Sequence, residues 1–251
     1  LLKSKYLWNN STLKETFLRM ANVAASHLKD KLPKEDVEYL EKRFFEIMWD
    51  GDLAPASPVY NLGTPRGMPV SCSGGYIRDE VLGFYQHRSE IAVLTQEQFG
   101  TSGYLGAIRP RGSKISRGGT AAGVVPVFNG IAQDMLDITQ GTMRRGSYGG
   151  YLPVSHGDFH ELITSIMSDP EGKNIGINYS NEEIKRVLKN DPEDEIFKRW
   201  QRHMKLRSVY GKGYFYFPDK VAALQPAMYR DQKEFVFEFE KDEEVRYYHD
   251  Y

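Results

Sequence analysis

Apolar residues at helical spacing open the chain. Leu13, Phe17, Met20, Ala24 and Leu28 recur as one stripe of an amphipathic helix, and Thr12 with Glu15 forms a capping box at its start. A second stripe, Val37, Leu40, Phe44 and Met48, follows Pro33 and runs toward Gly51, a proline start and a glycine stop. Both stripes are read as core. Further on, Phe84, His87, Ile91 and Leu94 mark a third helix, and residues 124–138 a fourth. Asn174–Tyr179 reads as a short strand, 181–190 as a charged helix, and a further helix passes through Trp200 and Met204 to an alternating aromatic strand, Gly211–Phe217. Strands and helices thus alternate from Pro55 onward, which predicts a mainly parallel α/β sheet.

Composition narrows the function classes. The 251 residues, 40% hydrophobic, suffice for one large domain or two small ones. Lysine and arginine total 33 against 34 acidic residues, so nothing points to a nucleic-acid-coating or membrane-surface protein, and any anionic ligand must be gripped locally. No apolar run spans a bilayer and no secretory leader opens the chain, so the expected location is cytoplasmic, the host cytoplasm if the gene belongs to a phage. A single cysteine excludes an internal disulfide framework and a cysteine-rich zinc site. The six histidines show no metal-ligand spacing; His156 and His160 stand four apart without a third ligand, so no metal is expected in this chain.

That cysteine, Cys72, lies in PASPVYNLGTPRGMPVSCSGGYI, residues 55–77, between serines and beside two glycines, where backbone can approach a ligand. The competing reading is a buried small hydrophobe. Residues 108–119, IRPRGSKISRGG, concentrate guanidinium groups, hydroxyls and glycines, the means of holding phosphate in a neutral protein. They lack the Walker spacing, and a P-loop ATPase is disfavoured. Asp158 is placed to cap the helix that follows it.

Pro55-Ala56-Ser57-Pro58-Val59, Asn61-Leu62-Gly63-Thr64-Pro65-Arg66 and Ser71-Cys72, with later segments in the same order, resemble the large subunits of ribonucleotide reductases, in particular the phage-type class I form. The resemblance implies an amino-terminal helical region (1–53) and the first half of a ten-stranded α/β reductase barrel (54–233), to be completed by another chain. Residues 234–251, an acidic aromatic tail, depart from the family. There Phe235, Phe237 and Phe239 alternate as in a strand with one aromatic face, read as a segment that helps dock the other half, against the alternative of a solvated acidic tail. The resemblance further implies that Cys72 is one of a redox pair reducing the ribose 2′ carbon of a ribonucleoside diphosphate. Ser57 and Ser71 would hydrogen-bond that substrate and Gly103 would offer it backbone. Asp79, Arg109 and Arg111 would hold a nucleoside triphosphate effector, and Gln140 and Arg144 would relay its identity to the substrate base.

The family's thiyl-forming cysteine, second redox cysteine and catalytic glutamate have no counterpart in these residues, so the expectation is the amino-terminal part of a split subunit. Its implied partners are the carboxy-terminal half, a metal-containing small subunit supplying the radical, a second large subunit, and thioredoxin or glutaredoxin as reductant. Two rivals stay open: an adenosylcobalamin-dependent reductase fragment, and a non-catalytic nucleotide-binding regulator.

Overall fold

The structure, a computed structural model, describes residues 3, 6–138 and 146–225, and the backbone of 234–238 and 244–248. Gln140 and Arg144 lie outside the described residues.

Two helices come first, α1 (Leu13–Ser26) and α2 (Lys34–Trp49). The capping box forms as expected: Thr12 N–H donates to Glu15 Oε2 at 2.7 Å, and Glu15 N–H to Thr12 Oγ1 at 3.2 Å. α2 ends at Gly51, whose φ of +85° suits glycine. Phe17, Met20, Ala21 and Met48 form a small core of their own, packed by Phe44, Val59, Tyr60 and Leu62. Residues 57–62 therefore belong partly to this helical unit.

Five parallel strands follow in spatial order β1-β2-β3-β4-β5: β1 (Cys72–Tyr76), β2 (Gly100–Tyr104), β3 (Ser147–Pro153), β4 (Asn174–Asn178) and β5 (Tyr214–Tyr216). Between them run α3 (Val81–Gln96), α4 (Val124–Asp137), α5 (Phe159–Ser168), α6 (Asn181–Leu188) and α7 (Glu195–Tyr210); α8 (Pro218–Leu224) comes last. Strand neighbours in space are neighbours in sequence. Because parallel crossovers share one hand, this order stacks the helices on one face, as in the wall of a barrel rather than a doubly wound sheet. The fold is an α/β barrel half with two strand edges, at β1 and β5, unpaired among the described residues.

The main core lies between sheet and helices. Tyr148 and Leu152 of β3 and Ile175 and Ile177 of β4 point into it, meeting Ile91, Phe128, Ile131, Leu162, Ile163 and Leu206. Alternate residues of the same strands face the other way.

The sequence expectation for 211–217 is longer than the observed strand, three residues with Tyr214 and Phe215 exposed. Only its pairing with β4 defines it. In the tail, the backbone of β6 (Glu234–Glu238) is antiparallel to that of β7 (Glu244–Tyr248), so this aromatic segment has a strand partner within its own chain.

Candidate active site and effector loop

The register of the sheet assembles one face of the site. Cys72 pairs with Gly100, and Gly100 with Ser147, at the amino-terminal ends of three strands. The next row on that face is Gly74, Ser102, Gly149 and Asn174, and the row after it Tyr76, Tyr104, Tyr151, Gly176 and Tyr214. Successive rows are about 6.6 Å apart, twice the rise per strand residue. The thiol thus stands at the amino-terminal end of a floor of glycines and small polar side chains that is followed by a row of tyrosines. Tyr151 lies across Gly176, where an added Cβ would sit 2.5 Å from the ring, and packs edge-on against Tyr216 at 5.2 Å.

Cys72 is exposed, which decides against the reading of a buried hydrophobe. Its Sγ lies 3.7 Å from Ser71 Oγ, and Gly100 N–H donates to Ser71 C=O at 2.8 Å, which fixes the backbone just before the thiol. An exposed thiol on a strand-paired backbone is accessible to oxidation and reduction. Ser57 opens a short 3-10 turn (Ser57–Asn61), with its hydroxyl 3.4 Å from that of Tyr6.

Gly103 is not brought to the thiol. It pairs with Gly75 and Gly150, and both Gly75 and Gly103 face the helices. There His87 and Tyr148, 3.0 Å apart between Nε2 and the hydroxyl, fill the space: a Cβ on Gly103 would lie 2.2 Å from the tyrosine oxygen and 2.9 Å from His87 Nε2. Burial pushes the His87 imidazole down to about 4 and raises Tyr148 well above the usual phenol range, so both are neutral. The residue beside the thiol is Gly100, three positions earlier. Sequence reasoning missed Gly100, Ser102, Ser147 and Asn174 because the strand register that aligns them with Cys72 is a long-range property. Asn174 Oδ1 accepts from Lys212 Nζ at 3.1 Å, which ties the amino-terminal approach of β5 to this floor.

The arginine-rich segment forms a separate structure at the opposite end of β2. Residues 109–123 make a small hairpin: Gly112 N–H donates to Ala121 C=O at 3.0 Å, Ala121 N–H to Ser113 C=O at 2.8 Å, and Lys114 bridges Thr120. The structure brings Asp79 and Arg109 together, Nε to Oδ2 at 2.5 Å. Arg109 also reaches Lys114 C=O at 3.3 Å. Arg111 points elsewhere, to Glu161, in a bidentate pair at 2.6 to 3.0 Å that draws the Glu161 carboxyl below its ordinary range.

The expected cap by Asp158 is corrected. Asp158 stands at the N-cap of α5, where its C=O accepts from Leu162 N–H at 2.9 Å, but its side chain makes no capping bond there. Its carboxylate accepts instead from Arg111 N–H at 2.9 and 3.1 Å and from Val124 N–H, the first residue of α4, at 2.9 Å.

The comparisons with known proteins agree with this architecture. Residues 70–232 match the family model described as ribonucleotide reductase, barrel domain. The chain belongs to that family. A protein of Frog virus 3 (isolate Goorha) named as a ribonucleoside-diphosphate reductase large subunit is 28% identical over 213 residues, 76% of this chain and 36% of that protein. A vitamin B12-dependent ribonucleoside-diphosphate reductase of Mycobacterium tuberculosis (strain CDC 1551 / Oshkosh) is 28% identical over 131 residues, 51% of this chain and 19% of the relative. Among solved structures, the Actinobacillus ureae class Id ribonucleotide reductase alpha subunit superposes with a TM-score of 0.73 at 27% identity, covering 92% of this chain and 41% of that one. The chain therefore spans about a third of the length of the Frog virus 3 relative and two fifths of the solved subunit.

Proposed function

We propose that this chain supplies one half-barrel of a ribonucleoside-diphosphate reductase large subunit, with Cys72 as one of its two reducing thiols. The observation that carries the reading is the exposed Cys72 at the head of a strand face made of Gly100, Ser147, Gly74, Ser102, Gly149 and Asn174. Small residues let a ribose approach the backbone, and the serines and Asn174 offer it hydrogen-bond partners. Ser71 and Ser57 remain the proposed substrate contacts named from the sequence. Gly103 keeps the backbone contact to substrate named from the sequence, and Gly100 is added as the glycine beside the thiol.

The chemistry balances through two thiols. Cys72 and a cysteine outside these 251 residues lose two electrons and two protons to form a disulfide. The substrate's 2′ C–OH becomes C–H with release of water, and thioredoxin or glutaredoxin restores the thiols. The radical that starts the reaction is supplied from a metal-containing small subunit. Effector binding is assigned to Asp79, Arg109 and Arg111, with Gln140 and Arg144 as readers of its base. In this reading residues 1–53 pack, 54–233 form the half-barrel, and 234–251 contact the half that completes it.

Reconstitution tests the proposal. The protein purified from its source, assembled with the completing half of the barrel and the small subunit, should reduce CDP, and Cys72→Ser should abolish this while leaving triphosphate binding intact. Wild-type activity in the serine variant would favour the regulator reading. The similarity to a vitamin B12-dependent enzyme keeps the second reading in play. Activity that requires added adenosylcobalamin and no small subunit would establish it.

A further inference from the structure

The turn after β3, His156-Gly157-Asp158, and Glu161 one turn into α5 grip the 109–123 hairpin at both of its ends. His156 Nδ1 accepts from Asp158 N–H at 3.1 Å, so the ring proton is on Nε2, which donates to Ile108 C=O at 2.8 Å. Asp158, only 5% exposed, holds Arg111 N–H and Val124 N–H together on one carboxylate. Gly123, at the N-cap of α4, has no side chain with which to cap that helix; Asp158 supplies the oxygen from another segment. The fit is close. Gly123 has φ +80°, and a Cβ there would meet Asp158 Oδ2 at 2.3 Å; one on Gly157 would meet Pro110 at 2.7 Å.

Glu161 does something different. Its carboxylate is exposed and holds the Arg111 guanidinium, not the main chain. Planar carboxylate and phosphate oxygens compete for the same guanidinium fork. One acid therefore fixes where the loop begins and ends, while the other occupies the group that a phosphate would use.

We propose that Asp158 is the positioning residue of the effector loop, and that Glu161 is an internal competitor which a phosphate displaces from Arg111. This rests on the effector reading of residues 109–123. It predicts effects of opposite sign from two neighbouring acids, which general loss of structure does not produce.

The test uses the assembled reductase, with dTTP as the probe and amide hydrogen exchange in residues 112–121 as an independent readout. Asp158→Asn should weaken dTTP binding by about ten-fold or more, since one of the two buried oxygens that receive the Arg111 and Val124 N–H groups becomes an NH2 and the charge is lost, and should speed exchange at Gly112 and Ala121. Glu161→Gln should tighten dTTP binding by about two- to five-fold, the range of an exposed ion pair, without changing exchange. Gly157→Ala, which presses on Pro110 with both acids intact, should act in the same direction as Asp158→Asn and serves if that variant does not fold. Unchanged binding and exchange in Asp158→Asn, or weaker binding in Glu161→Gln, would overturn the proposal. If the wild-type protein binds no triphosphate, the effector reading fails; faster exchange in Asp158→Asn still supports the positioning role, and unchanged exchange removes it.

Discussion

Cys72 and Gly100 stand directly opposite each other at the amino-terminal ends of β1 and β2. A side chain at Gly100 projects from the same face as the thiol. Gly100→Val should therefore obstruct the space beside Cys72, lowering CDP reduction at least ten-fold in kcat/KM while leaving dTTP affinity unchanged. Steady-state kinetics and equilibrium binding on the same preparation separate the two.

Gly103→Ala should behave otherwise. Its methyl group runs into Tyr148 and His87 in the closed core, so the cost falls on stability, about 1–3 kcal/mol. Urea denaturation measures it. A variant as stable as the wild type would contradict the packing role.

Two buried histidines set an acid limit. His87 beside Tyr148, and His203 beside Tyr179, are both held at about 4 by burial, against an ordinary value near 6.5. Between those values the unfolded chain takes up protons that the folded chain does not. Stability is full above about pH 6.5 and falls as pH drops toward 4, by on the order of 2 kcal/mol per histidine at pH 5. Unfolding free energies at pH 7 and pH 5 should show the drop, and His203→Gln should reduce it. A flat profile contradicts the assignment.

The amino-terminal helix gives a local control. Removing the Thr12 hydroxyl in Thr12→Ala should cost about 1 kcal/mol. Activity at a temperature well below the unfolding transition should not change, since α1 packs in its own small core.

The local signals in the sequence were the reliable ones. Thr12 with Glu15, Pro33 and Gly51 mark helix ends that the structure reproduces, and the apolar stripe of residues 124–138 gives α4 almost to the residue. What depended on distant partners was not legible. Asp158 occupies a helix start, so its spacing suggests a side-chain cap for α5, yet its carboxylate accepts from Arg111 and Val124, 47 and 34 positions away. Gly103 and Gly100 look alike in a small-residue run, and only the register tells which one meets Cys72 and which one makes room for His87. Arg109 and Arg111 read as a matched pair of phosphate ligands, but they separate onto Asp79 and Glu161, on different sides of the loop.

The central claim is that Cys72 is oxidised when substrate is reduced. A single turnover of the assembled reductase with CDP, without external reductant, followed by rapid alkylation and peptide mass mapping, tests it directly. Cys72 should be lost from the alkylated pool in proportion to dCDP formed and recovered in a disulfide with a cysteine outside these residues. Stoichiometric dCDP with Cys72 still fully alkylated would contradict it.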